Sequence, residues 1–204
     1  MRTIKRPGVH ELEVKKSRFC CALARVTSED QARDFIRQQR KHHHDARHHC
    51  TAYILGDDAR TQKSSDDGEP RGTAGVPILE VLRRNEITNT VAVVSRYFGG
   101  VLLGAGGLAR AYGGAVSEAL ESVGVVQRRP VRVLSTTVDY SIAGKLENDL
   151  RSAGFRVADV HYSDDVRFDL HIPEASVPGF QDWLAEATAG EVSITLGELT
   201  HAEL

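Results

Sequence analysis

Eight residues, Leu108, Ala111, Tyr112, Ala115, Val116, Ala119, Leu120 and Val123, keep i, i+3, i+4 spacing and stop at Gly124. That period places all eight on one stripe of an amphipathic α-helix, with a glycine as its natural end. An apolar run, Val91–Ser95, lies upstream and reads as a buried strand. Between them lies the glycine-rich stretch Gly99–Gly107. The centre of the chain is therefore a strand, a glycine loop and a buried helix, in that order.

The flanks extend this pattern. Val9–Val14 and Arg18–Val26 alternate as strands, the second with Phe19, Cys21 and Leu23 on one face. Ser28-Glu29-Asp30-Gln31 fits a capping box and opens a helix with Ala32, Phe35, Ile36 and Gln39 inward. Cys50–Leu55 reads as a strand, Gly56–Arg60 as a turn, and Thr61–Gly75 as a long polar loop. Pro77 stands near the start of a further helix carrying Ile78, Leu79, Val81 and Leu82.

A boundary is expected near Gln127–Pro130, giving domains 1–128 and 129–204. Beyond it come a strand (Val131–Tyr140), a helix (Ala143–Ala153), a hairpin (Phe155–Tyr162 and Val166–Ile172), a helix (Glu174–Ala187) and a strand (Glu191–Leu196). This β-α-β-β-α-β order is the ferredoxin-like pattern. The fold class expected is α+β, a mixed α/β domain followed by a ferredoxin-like one. Charge divides in the same place. Residues 1–130 hold 21 Lys and Arg against 15 Asp and Glu, and residues 131–204 hold 5 against 13. Such a division suggests two surfaces with different partners.

Composition excludes several classes. At 41% hydrophobic and 26% charged, the chain is ordinary globular protein. No apolar run nears the roughly 18 residues that a bilayer crossing needs, so no membrane association is expected. The polar, basic residues 1–10 do not resemble a secretory signal. Three cysteines, Cys20, Cys21 and Cys50, suit a reducing compartment, and cytoplasm is the expected location.

Three stretches could carry chemistry. In Ser64–Gly75, Asp66, Asp67 and Glu69 could serve as an acidic site, with Asp67 or Glu69 as base. Alternatively Asp67-Gly68 and Pro70 only build an ordered turn. In Arg96–Arg110, Gly99, Gly100, Gly104, Gly106 and Gly107 could present backbone amides to a phosphate. Arg96 and Arg110 flank them, and Tyr97 and Phe98 offer rings for stacking. The opposing reading is that these glycines serve turns and close packing. Gly104-x-Gly106-x-x-Ala109 loosely matches a dinucleotide fingerprint but lacks its acidic ribose partner, and no Walker lysine is present. Five of the nine histidines fall in Lys41–Cys50. That cluster lacks a zincin glutamate and a CxxC pair, so neither a metal nor a cofactor is expected. Alternation sets His48 and Cys50 on one face of the following strand and His49 on the other.

Several ordered motifs together resemble the IMPACT/YigZ family. They are Lys16-Ser17-Arg18-Phe19, His48-His49-Cys50-Thr51-Ala52-Tyr53, Asp66-Asp67-Gly68-Glu69-Pro70 with Gly72–Leu79, and Arg96-Tyr97-Phe98-Gly99-Gly100 continuing through Gly107-Leu108-Ala109-Arg110-Ala111-Tyr112. The match departs at His49, where the family's motif has asparagine. The resemblance implies a first domain like domain IV of elongation factor G, then a ferredoxin-like domain, and a role linked to translation. The expectation is an RNA- or ribosome-binding protein, centred on Arg96, Tyr97, Arg110 and the glycines, with Lys63 and Arg71 on a facing loop. Catalytic residues are not expected. The acidic second domain would meet a protein. An enzyme acting on a phosphorylated small molecule, and a pure protein-interaction module, are the rival expectations.

Overall fold

The computed structural model describes residues 1–203. Two compact units, Met1–Gln127 and Arg128–Leu204, divide the chain. The architecture is α+β throughout, as expected.

The first unit runs β1 (Arg2–Ile4), β2 (Gly8–Val14), β3 (Ser17–Arg25), α1 (Glu29–His42), β4 (His48–Leu55), β5 (Thr61–Ser65), α2 (Gly75–Arg84), β6 (Thr90–Tyr97) and α3 (Gly104–Val123). Five of its strands form a sheet ordered β2-β3-β6-β4-β5, every pair antiparallel. Helices cover both faces. On one, α2 and α3 bury Phe19, Cys21, Leu23, Cys50, Ala52, Ile54, Ala92 and Val94. On the other, α1 packs Ala32, Phe35 and Ile36 against Tyr53, Leu55, Val91 and Val93. Coverage on both sides explains why β4 and β6 are apolar almost without interruption.

The eight-residue stripe is the buried face of α3, residue for residue. Ser28 caps α1, its hydroxyl accepting from the Gln31 N–H at 3.2 Å. The return bond is displaced by one residue, since the Gln31 amide oxygen accepts from the Thr27 N–H at 2.8 Å. Two expectations are corrected. Thr61–Ser65 is not loop but the edge strand β5, whose all-polar sequence carries no apolar period. Gly104–Gly107 is not loop either but the first turn of α3, leaving residues 98–103 as the connection.

β7 (Val125–Val138) begins in the first unit and continues into the second, followed by α4 (Tyr140–Ser152), β8 (Arg156–Tyr162), β9 (Val166–Pro173), α5 (Val177–Ala187) and β10 (Ile194–Glu203). A single 3₁₀ turn, Glu174–Ser176, precedes α5 where one continuous helix was expected. β10 begins three residues later than expected and runs on to Glu203. β7 begins at Val125 and runs through Gln127–Pro130, so the expected boundary falls within a strand; its first residues pair with β1. The sheet order β10-β7-β9-β8, all antiparallel, is ferredoxin-like. Both helices pack on one face, over Leu134, Val138, Phe168, Leu170 and Ile172.

Candidate functional site

Alternation along β6 decides where its last residues point. Arg96 faces α2 and α3, and Tyr97 faces α1. Arg96 is buried, with 7% of its side chain exposed, and its Nη1 donates to Glu69 Oε1 at 2.6 Å. The same oxygen accepts the Tyr112 hydroxyl at 2.8 Å. Arg96 also lies against the Phe19 and Phe98 rings, 5.5 and 5.6 Å from their centroids. Its Nε is buried without a hydrogen-bond partner among the described residues.

Above this pair lies a cavity of about 340 Å³. Glu69 and Arg96 form its charged part, Pro70, Phe98, Leu102, Leu103 and Leu108 its apolar walls, and Arg47 and His48 its remaining polar side chains. Gly104 and Ala105, the first two residues of α3, also line it. No side chain caps this helix end, and its first turn carries no acidic residue. A 20-residue helix thus presents its positive end to the cavity unneutralised by its own sequence. Phe98 and Leu102 remain 49% and 84% exposed.

The connection before α3 is held by close approach. A Cβ on Gly99 would lie 2.0 Å from the Lys16 carbonyl carbon, and the Gly99 N–H donates to the Ser17 hydroxyl at 3.1 Å. Only glycine lets residues 98–103 sit on the β2–β3 turn.

The acidic loop is tied inward. Asp66 accepts the N–H groups of Gly72, Ala74 and Gly75 at 2.8, 3.1 and 2.8 Å. Burial alone would raise its carboxyl, but these amides and the nearby Arg71 charge outweigh burial and hold it below the ordinary carboxylate value. Asp67 accepts from Arg40 at 2.5 Å and from the His49 N–H at 2.6 Å. It too is held low, against the upward push of burial. Asp67 and Gly68 both adopt positive φ, 45° and 85°, as the turn reading of this dipeptide requires. His48 Nδ1 meets the Asp67 carbonyl on one face of β4, while His49 reaches the His43 carbonyl on the other. The alternation expected there is observed. Burial pushes the Cys50 thiol up to about 12, so it stays protonated and is no nucleophile at neutral pH. No cluster of three or more metal-ligating side chains occurs among the described residues.

The residues expected to form one basic surface do not converge. Arg96 lies beneath the cavity, paired and covered. Tyr97 bonds His43 at 2.8 Å and Asp45 at 3.2 Å, and Arg18 covers its ring at 4.7 Å. Lys63 is on β5, bonded to Glu29 of α1 at 2.7 Å, and not on a facing loop. Arg110 lies in a separate α2–α3 groove with Val76, Pro77 and Arg84. Arg71 is exposed in the loop next to Pro70. Gly100 makes a turn at φ 85°, while Gly104, Gly106 and Gly107 belong to the opening turn of α3. Of the acidic pair, Glu69 lines the cavity and Asp67 does not. Sequence reasoning missed Arg47, Leu102 and Leu103. The signal available was the apolar triplet Val101-Leu102-Leu103, unusual inside a glycine loop.

Comparison with known proteins covers both units. Residues 15–120 match the Impact N-terminal domain, and residues 136–191 match a domain of unknown function, DUF1949. IMPACT family member YvyE of Bacillus subtilis (strain 168) is 48% identical over 201 residues, 98% of this chain and 93% of that protein. IMPACT family member YigZ of Escherichia coli (strain K12) is 37% identical, covering 89% and 90%. The crystal structure of a hypothetical protein, 35% identical, superposes with a TM-score of 0.62 over 97% of both chains. No helix among the described residues is long and apolar enough to cross a membrane.

Proposed function

The chain belongs to the IMPACT family, and from that premise we propose that it binds RNA, free or within the ribosome, through the cavity at the amino end of α3. The observation that carries this reading is the joining of three features in one place. They are an uncapped helix end, an exposed aromatic ring and a cation without an ion-pair partner among the described residues. The helix end and Arg47 attract backbone phosphate, and Phe98 supplies a face for an unstacked base. Arg71, beside Pro70 on the cavity wall, adds a second exposed cation. Arg96 does not contact RNA as an exposed residue in this reading; it anchors the cavity. The acidic second unit repels nucleic acid and is assigned to a protein partner, and the setting is cytoplasmic and linked to translation.

Fluorescence anisotropy with single-stranded RNA, titrated across salt, tests the reading. Three phosphate contacts give a log–log slope of about −2. Arg47→Glu with Arg71→Glu should abolish most binding without unfolding the chain, since both side chains are exposed. Unchanged affinity in that variant removes the assignment.

A second reading is favoured by Glu69, a buried carboxylate lining the same cavity. It makes the chain an enzyme on a phosphorylated small molecule, with Glu69 as base. Thermal protection by nucleotides together with product formation lost in Glu69→Gln would support it over the first.

A further inference from the structure

The cavity has a floor, and a floor is more than a strand-binding groove needs. A continuous single strand lies along a surface and contacts it through internal phosphodiesters, each carrying one charge. Here apolar walls line about 340 Å³, and the charged part includes a guanidinium with only 7% of its side chain exposed, paired with Glu69. Arginine remains protonated at any working pH, and a buried donor without an acceptor is costly, about 1–3 kcal/mol. Glu69 satisfies Nη1 only, and Nε has no partner among the described residues. The Arg96 side chain and the open amino end of α3 line the same cavity, and both favour concentrated negative charge.

We propose that this cavity recognises a phosphomonoester joined to a planar ring, the terminal phosphate of an RNA strand or a free mononucleotide. The terminal dianion meets the α3 amides and the Arg96 guanidinium, and the attached base lies against Phe98 and Leu102. Glu69, which itself lines the cavity, and Tyr112 are positioning residues that fix the guanidinium. RNA as the carrier of the phosphate rests on the function proposed above; the phosphomonoester chemistry does not.

The test uses the full chain and one short RNA sequence in four forms: 5′-phosphorylated, 3′-phosphorylated, hydroxyl at both ends, and circular. A mononucleotide is titrated separately. One phosphorylated end should bind about tenfold more tightly than the hydroxyl and circular forms. Arg96→Lys should reduce that preference, but it disturbs a buried ion pair and could unfold the unit. Ala105→Glu avoids the difficulty. Ala105 is exposed at the cavity rim, and a carboxylate in the first turn favours the helix while repelling phosphate. It should erase the preference for phosphorylated ends, so that within this variant the phosphorylated forms bind no more tightly than the hydroxyl form. Equal affinity for all four RNAs overturns the inference and leaves RNA binding standing. Preference retained in Ala105→Glu overturns its placement at α3. Binding of the mononucleotide without any RNA supports the phosphomonoester site and removes RNA as its carrier. Binding of neither removes both.

Discussion

The two units solve the same problem, an antiparallel sheet with one polar-sided alternative, in opposite ways. In the first, helices cover both faces of the sheet. In the second, α4 and α5 share one face, and the other carries Ser135, His161, Arg167 and Asp169. The difference sets the fate of charge. A charge that points between the doubly covered sheet and its helices is buried and must be matched, as Arg96 is by Glu69. A charge on the half-covered sheet can exchange its protein partners for water.

The largest effect should follow from breaking the buried match. Glu69→Ala leaves the Arg96 cation and the Tyr112 hydroxyl buried without their shared acceptor. A loss of about 3–5 kcal/mol is expected, read as a lower urea midpoint by far-ultraviolet circular dichroism. A loss below about 1 kcal/mol would mean that water reaches this site and that the contrast with the second unit is false.

Asp66→Ala should rank next. It removes one acceptor from three backbone N–H groups that prepare the start of α2. Because Asp66 is partly exposed, water replaces some of what is lost, and about 2 kcal/mol is expected. The same contacts predict a pH dependence. The carboxyl is held below its unfolded value, so its stabilisation is complete above that value, near pH 3.9, and is lost as pH falls through the lower folded one. The amide proton shifts of Gly72 and Gly75 should titrate with a midpoint below about 3.9. A midpoint above that would show the carboxylate is not their acceptor.

What the sequence revealed follows the same division between period and partner. The α3 stripe, the β-α-β-β-α-β order and the alternation of His48, His49 and Cys50 were all legible, because each follows from the local geometry of a helix or strand. β5 was not, because Thr61–Ser65 is a polar edge with nothing to alternate. The role of Arg96 was not legible either. Its burial depends on Glu69, 27 residues away in sequence, and no local pattern announces that pairing. Lys63 failed for a related reason, since its partner Glu29 stands on α1. Motif order identified the family, but it could not show which motif residues face solvent.

The smallest effect belongs to the open sheet face. Asp169 accepts from Ser135 at 2.8 Å, from His161 at 2.9 Å and from Arg167 at 3.3 Å. By bond count it is better connected than Glu69. Burial alone would raise its carboxyl, yet Ser135, His161 and Arg167 together hold it below the ordinary value. Its side chain is one-fifth exposed, and those of His161 and Arg167 nearly half. When Asp169 is removed, the His161 and Arg167 side chains turn to water at little cost. Asp169→Ala should therefore cost about 1 kcal/mol or less. Trp183, the single tryptophan of the chain, packs in the core of this unit, so its fluorescence reports unfolding here. A urea midpoint displaced as far as that of Glu69→Ala would show that connection, and not coverage, decides what a charge contributes to this fold.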